Sequence, residues 1–483
     1  MKSFYFHDYE TFGTDPALDW PAQFAGIRTD AELNEVGEPL DIFCKLPEDH
    51  LPDPEACLIT GLTPQKVNEQ GIVEPEFIRY IHTELMVPGT CALGYNSIRF
   101  DDEVTRNILY RNFYDPYARE WQNGNSRWDL IDLVRLTAAL RPEGIEWPLR
   151  KDGFKSFRLE EITAVNNIDH KSPHGAISDV RATIALAKLI RQQQPKLFQF
   201  YLKHRDKHKV ANLLNLNNQK MVIHVSGMFG AQRNNLAIVI PLIIHPKNCN
   251  GVVVYDLSID PAPLLDLSVE DIRRRLFTPA DQLGDGEERI PLKTVHINKC
   301  PAVAPINVLR AEDQDRLELD LAKCETHRNR LLAENRLTEK LKEVFSESLA
   351  IKHTDPDQMI YSGGFFSPQD KKEMGRILAS PPSQLAQLNL SFSDNRLEEM
   401  LFRYLGRNFF ETMDKEARYL WKQYCWDRLS GKLHPENNKL LTFNHFWNKL
   451  KEVKVDVEGD LKKQHLLTQL SEYVQEHEKT LSN

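Results

Sequence analysis

The chain has 483 residues, of which 41% are hydrophobic and 27% charged, and a formal net charge of −9. That length exceeds what a single core covers, so about three domains are expected. The acidic balance excludes a uniformly basic nucleic-acid coat, and the longest apolar run, 236–244, is too short for a bilayer and contains a proline, so no membrane attachment is expected.

In chain order, the aromatic run Phe4, Tyr5, Phe6 predicts a buried strand, with no charged-then-apolar leader before it. Asp8 and Glu10 follow on that strand, and residues two apart project from one face. Paired carboxylates repel unless a cation lies between them. The bare Asp-x-Glu spacing carries little information, because it recurs at Asp53, Asp101, Asp285, Asp414 and Asp456; the strand setting distinguishes this pair. A second strand is predicted over 90–95. It runs into Asn96 and then Asp101, ahead of a helix over 102–113, with Phe100 anchoring the acid against the core. Asp102 is the alternative to Asp101, since negative charge suits a helix N-terminus.

Between Phe100 and Arg158 ten aromatics alternate with ten basic and ten acidic residues. Aromatic faces can stack unpaired bases while Arg and Lys grip phosphates, although most of these rings are expected in the core. Next comes His174, the one histidine of sixteen with an aspartate, Asp179, five residues on. Residues 171–173 read as a loop, and the apolar spacing from Ala176 to Ile190 reads as a helix with Asp179 in its second turn. A loop histidine can accept a proton from water near pH 7. Carboxylates gathered from three such segments suit hard Mg²⁺ or Mn²⁺, and together with a histidine they point to metal-dependent phosphodiester cleavage.

The basic run 203–209 reads as a solvated helix end or an extension of a nucleic-acid groove. Strands are predicted over 221–225, 236–244, 251–257 and 290–297, forming a small antiparallel barrel, followed by helices from 310 to about 349. Residues 352–357 read as a linker, and beyond them the spacing is helical almost throughout. Seven cysteines show no metal or redox spacing, so reduced thiols in the cytoplasm are expected. No nucleotide-binding loop is found, so ATP dependence is not expected.

The ordered set Asp8-x-Glu10, Asp101, His174-x4-Asp179 resembles the DEDD exonucleases of the histidine subtype, the DEDDh family of the ribonuclease H-like superfamily. Residues 7–13, 21–25, 96–117, 125–130, 224–230 and 296–301 are similar to one bacterial branch of that family, and the likeness runs to about residue 430. Smaller members carry Thr where Tyr9 stands, and place three residues, not four, between the Asn and the second Asp. The resemblance implies an α/β ribonuclease H-like exonuclease domain (1–195), an SH3-like β-barrel domain with flanking helices (196–350) and a C-terminal all-α domain (355–483). It implies 3′→5′ hydrolysis of single-stranded DNA to 5′-mononucleotides in DNA repair and recombination. Asp8, Glu10 and Asp179 would ligate one Mg²⁺, and Asp8 would bridge to a second about 4 Å away, held partly by Asp101; Mn²⁺ is an alternative. His174 would be the general base. Substrate contacts would come from Glu10, Arg158, Arg106, Trp128, Tyr114 and Arg141, with Arg158 on a phosphate near the scissile bond. A monomer is expected, as is a basic hollow with an apolar floor for the acidic, phenylalanine-ended tail of single-stranded DNA-binding protein. Two other readings remain: an RNA-trimming or proofreading exonuclease, and an inactive nucleic-acid-binding scaffold.

Overall fold

The computed structural model describes residues 2–170, 175–347, 354–385, 387–433 and 439–482. The chain divides into two compact units. The first comprises residues 1–126, 170–181 and 351–483. At its centre runs β1 (Ser3–Thr11), antiparallel to β2 (Pro21–Thr29) and parallel to β4 (Thr90–Gly94); β3 (Leu40–Phe43) adds antiparallel to β2. Phe4, Tyr5, Phe6 and Tyr9 are all buried, so β1 is covered on both faces and shows no apolar alternation.

The pairing of β1 with β4 covers only Ser3 to Phe6, opposite Thr90 to Leu93. Asp8 and Glu10 therefore lie past the end of β4 while staying registered with Ala25 and Gln23 of β2. That is the carboxyl edge of the parallel pair, where open α/β sheets place their sites. At Gly94 the chain leaves β4 so close to β1 that an added Cβ would lie 2.5 Å from the His7 carbonyl oxygen. Two residues on, Asn96 takes a left-handed φ of 67° and turns the chain toward the helix Asp101–Arg111. That helix starts one residue earlier than predicted and ends two earlier.

The C-terminal helices Pro368–Ala379, Arg396–Phe409, Lys415–Leu429, Phe443–Asp456 and Leu461–Ser482 belong to the same unit. Trp421, Phe446, Leu467 and Leu470 share one buried cluster with Trp20, Phe77 and Ile81. The segment read as a linker is partly structural. Lys352 and His353 lie outside the described residues, but Asp355 is buried and accepts from Arg403 at 2.5 Å. Asp357 accepts from Arg403 at 3.0 Å and Arg407 at 2.7 Å, and Arg407 also grips buried Asp49 at 2.8 Å. These arginines hold the Asp49 and Asp357 carboxyls well below the usual range against the opposing effect of burial.

Strand β5 (Ser126–Asp129) straddles the unit boundary. The second unit, residues 127–169 and 182–350, holds an antiparallel sheet of β6 (Val222–Val225), β7 (Leu236–Ile244), β8 (Gly251–Asp256), β9 (Leu292–His296) and β10 (Ala302–Pro305), in the order β10-β6-β7-β8-β9. Ile238, Ile240 and Leu242 of β7 enter one buried cluster and Ala237 and Val239 another, so both faces are covered. Strand β10 was not predicted: four residues ending in proline are too short to show a period. Three helices follow, Ala311–Arg316, Leu321–Ala333 and Leu337–Val344. None of the seven cysteines forms a disulfide, and among the described residues no helix is long and apolar enough to cross a membrane.

Removing one partner of a buried ion pair leaves the other charge uncompensated. Arg407→Ala is expected to destabilise the first unit by about 3–5 kcal/mol, measured by urea denaturation. A loss below about 1 kcal/mol, the scale of exposed ion pairs, would mean that the network contributes little.

Candidate active site and metal centre

The strand reading of Asp8 and Glu10 and the helical reading of Asp179 meet in space. One carboxylate oxygen from each lies within 4.8 Å of the others. Glu10 is buried, and Asp8 and Asp179 are half-buried. Asp179 is the fourth residue of the helix Ala176–Gln193, so it occupies the first turn and not the second as expected. The helix begins close to the site, which brings its acid to the β1 edge.

Asp101 and Asp102, adjacent and both buried, separate cleanly. Asp101 accepts the Tyr9 backbone N–H at 2.9 Å, which ties the first residue of its helix to the strand carrying Asp8 and Glu10. Asp102 binds the buried Arg119 guanidinium at 2.7 Å. The charges of both act on Tyr9, but that of Asp101 also acts on Asp8 and Glu10, whereas that of Asp102 acts on His7. Of the two, Asp101 is the acid whose charge reaches Asp8 and Glu10.

Crowding shows in the protonation equilibria. Burial first, then the charges of Asp101, Glu10 and Asp179, push the Asp8 carboxyl well above its ordinary value. Burial, Asp179 and Asp101 push Glu10 up to about 8. Such groups stay partly protonated near neutral pH unless positive charge arrives. An all-oxygen carboxylate set of this kind fits a hard divalent cation.

Two residues complete the picture. His174, the expected general base, and residues 171–173 lie outside the described residues. His170, which sequence reasoning passed over, has Nε2 at 2.5 Å from Asp179 Oδ1. Its only sequence signal was a second histidine within ten residues of Asp179, in no periodic relation to it.

The expected substrate contacts fare differently. Trp128 is fully buried against Phe198 and Tyr201 and has no face for a base. Arg106 has 7% side-chain exposure and is committed to Glu103 at 2.8 Å and Glu120 at 2.7 Å. Arg141 binds Asp313 at 3.1 Å and the Val308 carbonyl at 2.8 Å. These three are corrected from substrate contacts to structural groups, because a sequence window does not show which charge or core a side chain meets. Tyr114 is half-buried against His82. Arg158, just ahead of the helix Leu159–Val165, keeps 73% side-chain exposure, with Glu161 at 3.8 Å.

An acid cluster thus lies at the carboxyl edge of a mixed sheet, and residues 5–187, which include it, match the family model for exonucleases. Residues 205–347 match the exonuclease I SH3-like domain and 354–477 the exonuclease I C-terminal domain. Exodeoxyribonuclease I of Escherichia coli (strain K12) is 49% identical over 425 residues, covering 88% of this chain and 89% of its own. The moderately thermophilic exonuclease I of Methylocaldum szegediense is 50% identical with a TM-score of 0.93, covering 99% of this chain and 100% of that one. The zinc-bound form of the Escherichia coli exonuclease I complex with single-stranded DNA gives a TM-score of 0.93 at 45% identity, covering 99% of both chains. The chain belongs to the exodeoxyribonuclease I family and is a hydrolase of the exonuclease class.

A carboxyl whose folded pKa lies above its unfolded value stabilises the fold while protonated. For Glu10 that stabilisation is complete below the ordinary glutamate value and is lost as pH rises through about 8. Metal-free protein is thus expected to lose stability across this window and a divalent cation to restore it. The Tm increase on adding Mg²⁺ should be larger at pH 8.5 than at pH 6, and Glu10→Gln should remove most of the difference. An equal increase at both values would contradict the assignment.

Proposed function

We propose that this protein removes nucleotides from the 3′ end of single-stranded DNA, releasing 5′-mononucleotides, and acts in DNA repair and recombination. The observation that carries the reading is the convergence of Asp8, Glu10 and Asp179 with Asp101 beside them. The likeness along nearly the whole chain to exonuclease I in complex with single-stranded DNA supports the substrate. The three-part division at about 195 and 350–355 belongs to the same reading, and the matched ranges support it.

In this reading Asp8, Glu10 and Asp179 would hold one divalent cation, and Asp8 and Asp101 would help to hold a second. Bound there, Mg²⁺ (or Mn²⁺) would acidify the attacking water and stabilise the leaving 3′ oxygen. His174 takes the proton from that water as general base. Glu10 faces the substrate, and Arg158, being exposed, is open to a phosphate of the strand. The register of β1 on β2 and the Tyr9 N–H bond to Asp101 keep the acids in place, so little reorganisation accompanies the reaction.

One cavity supports the partner reading. In the second unit a cavity of about 400 Å³ has apolar lining including Leu140, Pro195, Leu197 and Phe200, with Lys196 beside them. That chemistry suits an acidic tail ending in phenylalanine, as expected for single-stranded DNA-binding protein. Cysteines that form no disulfide support a cytoplasmic protein, and we take it to be a monomer.

With 5′-labelled substrates and Mg²⁺, single-stranded DNA is expected to shorten from its 3′ end faster than duplex DNA or RNA. EDTA or Asp179→Ala should abolish the ladder, and His174→Ala should leave more activity than Asp179→Ala. Faster loss of RNA would overturn the substrate; bound but undigested strands would indicate an inactive scaffold. For the partner, a labelled acidic peptide ending in phenylalanine should bind at least tenfold more weakly to Lys196→Glu, by fluorescence anisotropy. Unchanged affinity would place the tail elsewhere.

A further inference from the structure

We infer that His170 is a positioning residue for Asp179, whose hydrogen bond orients the carboxylate that reaches the acid cluster from outside the sheet. This rests on the reading of Asp179 as a metal ligand. The other acids have anchors of their own. Asp8 and Glu10 are fixed by the paired backbone of β1, and Asp101 accepts the Tyr9 N–H at 2.9 Å. Asp179 comes from the first turn of a helix and must turn its side chain toward charges that repel it; its own charge is the foremost one acting on Glu10.

His170 meets that need. Its Nε2 lies 2.5 Å from Asp179 Oδ1, and the imidazole has 5% side-chain exposure against 19% for the carboxylate. An ionised carboxylate only accepts, so Nε2 is the donor in the tautomer that carries its proton there. A carboxylate engaged by a buried ring has lost its rotational freedom, and one of its oxygens lies within 4.8 Å of carboxylate oxygens of Asp8 and Glu10. Hydrogen-bond partners of this kind around metal ligands are worth about 10–100-fold in metal affinity. No change in the protonation of His170 is required, and the proton of the attacking water is left to another group.

Mn²⁺ binding to the full-length protein without DNA, followed by electron paramagnetic resonance, tests this, together with the Mn²⁺ dependence of single-stranded DNA digestion. His170→Ala should weaken Mn²⁺ binding about 10–100-fold, with activity recovered at high Mn²⁺ and the oligonucleotide KM unchanged. His170→Gln, which keeps an N–H donor, should recover most of the affinity and decides the matter if the alanine variant folds poorly. Wild-type Mn²⁺ affinity in His170→Ala, or a glutamine variant no better than alanine, would overturn the positioning role. Asp179→Ala separates the two readings: if it loses Mn²⁺ while His170→Ala does not, the site stands and this inference falls. If Asp179→Ala binds Mn²⁺ like the wild type, the assignment of the site falls and this inference with it.

Discussion

Carboxylates held side by side in a water-poor setting cannot all ionise at neutral pH, and the geometry around β1 forces that conflict on this protein. Asp8 and Glu10 cannot separate, because the strand that carries them is paired with β2 and buried in aromatic packing. Asp101 is tied to the same strand through Tyr9, and Asp179 is brought in by a helix that begins beside it. Without added positive charge the cluster keeps protons, as the raised carboxyls of Asp8 and Glu10 indicate. A divalent cation offers the other resolution.

Elsewhere in the same unit buried acids are treated in the opposite way. Asp49, Asp355 and Asp357 are matched by Arg403, Arg407 and Arg428, and burial there accompanies carboxyls held low for Asp49 and Asp357. This network joins the C-terminal helices to the segment after β3, where a core that includes Trp20 and Trp421 is continuous. Matched charges hold the scaffold, and self-repelling charges mark the site. The contrast within one unit is a physical reason to read the β1 edge as functional.

What the sequence made legible followed from periodicity. Asp8 and Glu10 share a strand period, and the apolar spacing from Ala176 to Ile190 located the helix of Asp179. The choice between Asp101 and Asp102 was hidden, because adjacent residues at a helix start differ only in direction, and the deciding partners, Tyr9 and Arg119, are distant in sequence. His170 was hidden for the same reason. Aromatic and basic composition over 100–158 misled, since Trp128 is core and Arg106 and Arg141 already have anions. The strands of the second unit and the helical run toward the C-terminus were readable from their patterns, whereas the short β10 and the structural use of Asp355 were not.

The most direct test of this account is the number of protons exchanged when Mn²⁺ binds, measured by titration calorimetry at pH 7 in buffers of different ionisation enthalpy. If Glu10 and its neighbours hold protons that a cation displaces, binding releases protons, and the release falls as pH is raised above about 8. Binding with no proton release, or with uptake, would contradict the claim that charge crowding at β1 defines the site.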